Sequence, residues 1–515
     1  LRGGARRVDH EPALSVTPEA GDEAVVDAFF TALGGSRIET ACNRVYLAGD
    51  TAWKVKRPVD LGYVDFTTLD RRRDAAEREI AFNAPAAPDI YRRVHAVTRS
   101  ASGVELDGPG PIVDYAVEMR RFDEGAVLSA RPEAVDGALA EALGREIARR
   151  HAAAPLRPQG GGAAGLAYTI ESNAHLLTGL ADRLGPDAVE AVIATTAERF
   201  ADASGLLEDR RRAGFTRRCH ADLHLGNILL EGGRPVLFDC IEFNDQLSDI
   251  DIQYDLAFLL MDLDFRNRRD AACRVLDAWL DESARREGPG LREGLAALPL
   301  MLSVRAVVRA HVEANSGHDA VGRAYLEAAL KHLRPPSPRL FAVGGMSGTG
   351  KTTLARAIAP QLGASPGAVV LRSDEIRKRL WGAAPTDRLP PEAYTPDVSA
   401  RVHDALFAEA ASLLGAGRSV ILDATFLDPG HRARASQLAR LSGRSLSAVW
   451  LEGPTEVLKA RLAARTGDAS DATPETLELQ ARSASGQIDW PRLGADLDAT
   501  SAALDVFSRT GTSHP

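Results

Sequence analysis

The residues whose types and spacing promise chemistry lie late in the chain. A short apolar run, Leu340-Phe341-Ala342-Val343, leads into Gly345, Ser347, Gly348, Thr349, Gly350, Lys351, Thr352 and Thr353, and a helical pattern follows. Gly345-x4-Gly350-Lys351-Thr352 has the spacing of a phosphate-binding P-loop set between a strand and a helix. The residue types follow from the task. Glycines let the backbone turn so that successive N–H groups converge on phosphate oxygens, and the helix behind them adds the positive end of its dipole. Lys351 would reach the β- and γ-phosphates, and the Thr352 hydroxyl would hold Mg²⁺. A strand–helix turn that binds nothing has use for the glycines but not for the lysine and threonine, so the stretch reads as a site for ATP and Mg²⁺.

A second constellation lies upstream. His220-x-Asp222-x4-Asn227, with Asp239 on the next strand-like run, has the spacing of a kinase catalytic loop and its metal-binding aspartate. In phosphoryl transfer Asp222 would accept the proton of the attacking hydroxyl, and Asn227 and Asp239 would hold the metal ions that bridge the phosphates. Such a site also needs a strand lysine paired with a helix glutamate, and Lys54 and Glu79 stand in the right order for it. Lys56 shares a strand face with Lys54, and Glu77 is the corresponding alternative to Glu79, so both choices stay open at the level of sequence. His220 reads as a residue that shapes the loop, and His224 as either structural or substrate-facing. Past the P-loop, Val420-Ile421-Leu422-Asp423 is an apolar strand ending in aspartate, the pattern of a Walker B strand. Arg461 and Arg465 fall four apart, on one face of the helix expected there.

These groups need elements to place them. The patterning predicts a helix over 21–33, a hairpin of strands 44–48 and 51–56 turning at Gly49-Asp50, a charged helix over 67–83, and strands at 91–98 and 112–119. The stretch 132–151 reads as helical and 155–165 as a Pro/Gly/Ala loop. Helices then run to 333, interrupted by the loop at 218–227 and a small hairpin of strands 228–230 and 235–239. Arg334-Pro335-Pro336-Ser337-Pro338 is a semi-rigid linker that ends the preceding helix. Beyond it strands and helices alternate over 340–344, 351–363, 368–371, 398–415, 418–422, 430–441, 446–451 and 454–464, which predicts a parallel sheet covered by helices.

The 515 residues exceed what one core accommodates, so two or three domains are expected. A net charge of −9 argues against general nucleic-acid binding. Cys42, Cys219, Cys240 and Cys273 are scattered without metal-ligand spacing, which points to reduced thiols and a cytoplasmic protein. No uninterrupted apolar run reaches the roughly 18 residues of a membrane span. The stretch 254–265 comes nearest and is broken by Asp255, Asp262 and Asp264. The first residues are basic but lack the apolar segment of a secretory signal. No membrane partner is expected, and oligomeric state is left open.

With these residues in view, His220-Ala221-Asp222-Leu223-His224-Leu225-Gly226-Asn227 resembles the catalytic loop of the aminoglycoside phosphotransferase and choline kinase group. Asp239 followed by Glu242 is similar to that group's metal-binding segment, and Asp255-Leu256-Ala257 to the start of its next helix. The resemblance implies an α+β, two-lobed, protein-kinase-like fold: a small lobe over 21–122 with a hinge near 119–122, and a helical large lobe over 123–333. The stretch 37–45 departs from it, having no GxGxxG, so cover for the phosphates falls to 40–43 or another segment. The carboxylates Asp239, Glu242, Asp245, Asp249, Asp251 and Asp255 read as metal ligands, helix caps and solvated charge in preference to a pocket for a cationic aminosugar.

Residues 339–508 resemble the small P-loop kinases: zeta-toxin-like, polynucleotide-kinase-like and gluconate-kinase-like proteins. That resemblance implies an α/β domain in which Asp374 contacts the acceptor hydroxyl as its base, with Arg377 nearby. Asp423 would then serve metal or substrate, and Arg461 and Arg465 would be lid arginines that neutralise phosphate charge; a plain surface pair is the competing reading. The whole chain resembles bifunctional aminoglycoside phosphotransferase/ATP-binding proteins of the AAA type. The implied activity is that of an ATP-dependent small-molecule kinase with two nucleotide sites, passing a γ-phosphate to a hydroxyl. Two rivals stand beside it: a regulatory ATP-binding protein in which one domain controls the other, and a toxin-like P-loop kinase restrained by the first domain. A lead over 1–20 reads as disordered or tag-like, 334–338 as the linker, and 509–515 as a tail.

Overall fold

Alternating apolar residues near the start of the chain build an antiparallel sheet. The computed structural model describes residues 20–509 apart from 35, 63, 288–289, 466, 484–486 and 496–497. The lead and the tail, but for their boundary residues 20 and 509, lie outside the described residues. The chain divides into two compact units: one takes the residues up to 131 with 220–222 and 226–248, the other takes 132–219, 223–225 and 249 onward.

In the first unit six strands lie side by side in the order Ser36–Glu39, Asn43–Ala48, Thr51–Lys56, Ile112–Arg120, Tyr91–Ser100 and Gly103–Leu106, every neighbour antiparallel. Gly49, at φ +56°, allows the tight turn that pairs Ala48 with Thr51 and puts Lys54 and Lys56 on one face. The helix Leu69–Asn83 opens at Thr68, whose side chain accepts the Arg71 amide. It packs Ala76 against Ile90, Val117 and Met119, and Leu229 and Phe238 join the same core. The second hairpin, Ile228–Glu231 with Arg234–Leu237, is thereby anchored to the sheet. The strands Ser36–Glu39 and Gly103–Leu106 went unread in the sequence because both are four-residue edge elements.

The second unit is mainly helical to residue 333. The helix Gly162–Gly179 begins inside the stretch expected to be a loop, so that loop is shorter than its composition implied. The segment Glu293–Asn315 has the length and mean hydropathy, 1.5, of a membrane span, which corrects the expectation that 254–265 comes nearest. Two thirds of it is buried in the protein, and its helix Leu298–Asn315 is apolar on most sides because it runs through the core.

Beyond 338 the strands Val369–Arg372, Val420–Asp423, Leu340–Gly345, Leu446–Glu452 and Arg492–Gly494 lie in that order, all parallel, as the alternation predicts. The helix after the P-loop spans Lys351–Ile358 and tightens into a 3₁₀ turn at Ala359–Gln361, short of the expected end at 363. Pro360 has no N–H to continue the ladder.

Candidate active sites

The strand Leu340–Gly345 delivers the chain to the P-loop, and three glycines shape it. Gly345, Gly348 and Gly350 sit at φ +140°, +83° and +87°. A Cβ on Gly345 would lie 2.5 Å from the Leu451 carbonyl oxygen, and one on Gly348 2.9 Å from that of Leu458, so the neighbouring strand and helix enforce glycine at both places. Thr349 donates its hydroxyl to the Met346 carbonyl at 2.8 Å, and the Lys351 ammonium donates to the same oxygen at 3.0 Å. The Ser347 amide donates to Gln480 Oε1 at 2.8 Å. Thr352 donates its hydroxyl to Asp423 Oδ2 at 2.6 Å, which brings the two expected metal-holding groups together. Burial draws the Lys351 ammonium below its usual value, with Asp423 and Asp374 pulling the other way.

A cavity of about 1020 Å³ opens over this loop, bordered by Thr353, Asp374, Arg461 and Arg465 as well as by Lys351 and Asp423. Asp374 stands in the first turn of the helix Ser373–Leu380. Arg461 and Arg465 do not share a helix face: the helix Thr455–Ala464 stops one residue short of Arg465, whose backbone is extended at φ −72°, ψ 132°, and Gly467 then turns at φ +66°. Arg461 is exposed, and Arg465 is half-buried with Nε 3.9 Å from Asp468 Oδ2. Arg372, at the end of the strand Val369–Arg372, had no assigned role. Its guanidinium bonds Glu375 at 2.8 Å and Asp468 at 2.6 Å and lies 3.6 Å from Asp423. Burial opposes its charge, but these carboxylates hold it well above the ordinary arginine value. Its position directly before Ser373-Asp374 was the available signal.

In the first unit the choice between lysines is resolved by sharing. Lys54 Nζ lies 2.7 Å from Glu79 Oε1, and Lys56 Nζ lies 2.7 Å from Glu79 Oε2. Each lysine then has a carboxylate of its own, Asp239 at 2.7 Å from Lys54 and Glu242 at 2.6 Å from Lys56. Glu79 is fully buried while Glu77 is exposed on the same helix. Burial alone would raise the Glu79 carboxyl; the two ammonium groups overcome it and draw it down to about 2. Burial likewise opposes the Lys54 charge, and Asp239 and Glu79 hold it well above the usual lysine range. At Glu242 burial prevails over Lys56, and its carboxyl is pushed up.

The catalytic-loop residues are stitched together locally. Asn227 Nδ2 donates to Asp222 Oδ2 at 2.8 Å and to the Asp222 carbonyl at 2.9 Å. His220 Nε2 donates to the Phe238 carbonyl at 2.9 Å while its Nδ1 accepts the Asp222 amide at 3.3 Å, so this histidine is spent on holding the loop. The Ile241 amide returns to the His220 carbonyl at 3.0 Å. Ala221 and Asp239 lie at φ +71° and +60°, a region that costs a residue with a Cβ roughly 1–3 kcal/mol and persists only when neighbours fix it. Here they do. The Asp239 amide donates to the Tyr91 hydroxyl at 3.1 Å, and the Cys240 amide to Asn83 Oδ1 at 2.9 Å. Asn83 Nδ2 in turn donates to the Glu79 carbonyl at 3.1 Å. Asn83 and Tyr91 escaped the sequence reading; only the i,i+4 spacing of Glu79 and Asn83 hinted at the first. At 40–43 the chain makes a tight turn, the Asn43 amide donating to Thr40 Oγ1 at 3.0 Å.

The acidic segment is structural where the partners are seen. Asp245 pairs with Arg78, Asp249 with Arg218, and Asp251 both pairs with Arg210 at 2.7 Å and caps the helix Ile252–Phe265. His151, Cys219 and Asp255 come within 4.8 Å of one another in the interior. His151 accepts from Trp279 Nε1 at Nδ1 and meets Asp255 at Nε2, so its ring has no lone pair left for a metal. His224 packs edge-on against Phe258.

Comparison with known proteins places this geometry. The chain is 32% identical over 471 residues to the uncharacterized protein Rv2004c of Mycobacterium tuberculosis, covering 88% of this chain and 90% of that one. The chain belongs to the family of that protein. Within it, residues 43–295 match the phosphotransferase enzyme family, and residues 340–486 match the AAA domain. The chain is therefore a fusion of a kinase-like α+β region, carrying the antiparallel sheet, and an α/β P-loop kinase domain, carrying the parallel one. Solved structures with some likeness include a choline/ethanolamine kinase family protein from Mesorhizobium loti, 14% identical with a TM-score of 0.33, covering 60% of this chain and 99% of that one. An APS kinase of Mycobacterium tuberculosis, in complex with AMPPNP and APS, is 21% identical with a TM-score of 0.27, covering 34% of this chain and 99% of that one.

Proposed function

We propose that this protein is an ATP-dependent kinase that passes a γ-phosphoryl group to a hydroxyl of a small molecule, with a nucleotide site in each half. The observation that carries the reading is the 2.6 Å hydrogen bond between Thr352 and Asp423 at the mouth of the glycine loop. A hydroxyl and a carboxylate joined beside a lysine, at a helix N-terminus, are the donor set that Mg²⁺ and a polyphosphate need. The loop fits such a group: a Cβ on Gly350 would project into open space, and the cavity above is at the upper end of the range for nucleotide-sized ligands. ATP with Mg²⁺, when bound, supplies the phosphoryl group and the charge that neutralises it.

The chain's own residues do the rest. The amides of the glycine loop and Lys351 orient the phosphate oxygens, and Thr352 with Asp423 keeps the metal in place. Asp374, on the cavity wall and within the field of Lys351 and Arg377, takes the proton of the acceptor hydroxyl. Arg461 and Arg465 face the same space and balance negative charge there. In the first unit Lys54, held by Glu79, orients phosphates, Asn227 and Asp239 hold metal, and Asp222 takes the proton. Among the described residues Cys42, Cys219, Cys240 and Cys273 are free thiols, in keeping with a cytoplasmic setting.

The test is calorimetric titration of ATP with Mg²⁺ into the full-length protein. Two bound nucleotides per chain are expected, falling to one in Lys351→Ala and to one in Lys54→Ala. A wild-type chain that binds a single nucleotide refutes the two-site reading, and undiminished stoichiometry in Lys351→Ala refutes the P-loop assignment. Incubation of metabolite extracts with γ-labelled ATP then separates a kinase, which labels a small molecule, from a regulatory ATP-binding protein, which labels none.

A further inference from the structure

The parallel sheet has an edge at the strand Val369–Arg372, which pairs on one side only, with Val420–Asp423. The Val369 amide goes inward to the Ser419 carbonyl at 2.9 Å, so the next amide, Val370, points outward. An outward N–H on an edge strand is ordinarily left to water or to a stray strand. Here it is met from outside the P-loop segment. Asp277, on the helix Arg269–Ser283, accepts the Val370 N–H at 3.2 Å through Oδ1.

The rest of that helix is fastened to the same edge. Cys273 lies in the apolar core of the parallel sheet with Phe341, Ile358 and Val370, and its thiol faces the Pro366 carbonyl at 3.2 Å. Arg269 donates to the carbonyls of Pro366 at 2.5 Å and Gly363 at 2.9 Å. Asp281, one turn on, takes Arg379 at 2.7 Å, and Glu141 bridges Arg274 at 2.9 Å and Arg356 at 2.6 Å. Asp277 borders two small voids, of about 20 and about 10 Å³, that also touch Arg372 and Glu375. Burial pushes its carboxyl well above the ordinary aspartate range.

Two residues beyond Val370 the strand ends at Arg372, which clasps Asp468 and Glu375 and lies 3.6 Å from Asp423, the carboxylate that takes the Thr352 hydroxyl. We propose that Asp277 is a positioning residue for the P-loop site: by fixing the Val370 amide it sets the edge strand so that Arg372 can hold Asp423 beside Thr352. A side chain of the helical region, 93 residues from the amide it holds, thus tunes nucleotide binding at the P-loop. The inference rests on the reading of that loop as an ATP site.

Site-resolved hydrogen exchange on the full-length protein tests it, with ATP and Mg²⁺ as the probe and the protection of 345–352 as the readout. Asp277→Asn keeps a carbonyl acceptor and no charge, and the wild-type midpoint is expected. Asp277→Leu removes the acceptor and leaves the Val370 amide unmet, so the ATP midpoint is expected to rise roughly tenfold, with faster exchange at 369–372. Should the leucine variant fail to fold, Asp277→Ala carries the same expectation without added bulk. A wild-type midpoint in the leucine or alanine variant overturns the proposal, as does a tenfold shift in the asparagine variant. If the wild-type protein itself shows no ATP-dependent protection at 345–352, the P-loop reading fails and this inference falls with it.

Discussion

At the scale of single residues, the two constellations were legible because phosphoryl transfer demands particular side chains in a particular order. Lys54, Glu79, Asp222, Asn227 and Asp239 could be picked from spacing, but how they pair could not. Glu79 has two carboxylate oxygens and gives one to each lysine, so the question of Lys54 or Lys56 had no single answer in the sequence. The partnership of Lys56 with Glu242 spans 186 positions and leaves no local signal. A functional division follows from the geometry. Asp222 takes the Asn227 amide within its own loop, whereas Asp239 is bonded to Lys54 and sits on a strained backbone. Asp222→Asn is expected to leave ATP binding by the first unit intact and to slow transfer by about 10²–10⁴-fold. Asp239→Ala is expected to weaken Mg²⁺-dependent ATP binding there. Titrations of both variants with and without Mg²⁺, in a Lys351→Ala background that silences the P-loop, distinguish the two roles; equal loss of binding in both would defeat the assignment.

At the scale of elements, periodicity placed the hairpin of the first sheet, the charged helix and the alternation of the P-loop region, and it failed where ends are set by single residues. Pro360 closes the helix after the P-loop early, whereas the helix expected over 454–464 ends at Ala464 as read, and it was the placing of Arg465 on its face that failed. Arg492–Gly494 is a three-residue strand, too short to show a period of two. The glycines allow a sharper statement than their spacing did. Gly345 combines φ +140° with a Leu451 carbonyl 2.5 Å from any Cβ, while Gly350 is at φ +87° with nothing nearby. Gly350→Ala should cost about 1–2 kcal/mol, the penalty of a left-handed residue alone. Gly345→Ala must also push apart the strands Leu340–Gly345 and Leu446–Glu452, and should cost more than Gly350→Ala in urea unfolding. Equal losses in the two variants would mean the loop relaxes freely and the close approach is of no consequence.

At the scale of the whole molecule, the proline-rich stretch at 334–338 drew attention because composition changes there, yet Cys273 from before it shares a core with Phe341 and Val343 from after it. Contacts between segments so far apart leave no mark on local sequence pattern. The distribution of buried titratable groups gives the two units different responses to acid. In the second unit burial draws His311, His332 and His403 down to about 4. In the unfolded chain each binds its proton near pH 6.5. Between those values the unfolded state carries the extra protons, so stability rises with pH and is lost as pH falls from about 6.5 to about 4. His332, the most enclosed of the three, would account for about 3 kcal/mol over that window. Asp277 and Glu375, pushed up by burial, act in the opposite sense, adding stability as pH falls and offsetting part of the loss. In the first unit the dominant group is Glu79, held down to about 2 by two lysines, so its contribution is complete above the unfolded value near 4.5 and fades only between there and about 2. Glu242 opposes it there, since burial raises its carboxyl. The second unit should therefore lose protection first as pH is lowered from 6.5 to 4.5, with the first unit following at lower pH. Hydrogen exchange followed segment by segment across that range reads the order directly. Replacing His332 by Phe should flatten the pH dependence of the second unit and leave the first unchanged, and an unaltered slope in that variant would show that His332 does not carry the acid response.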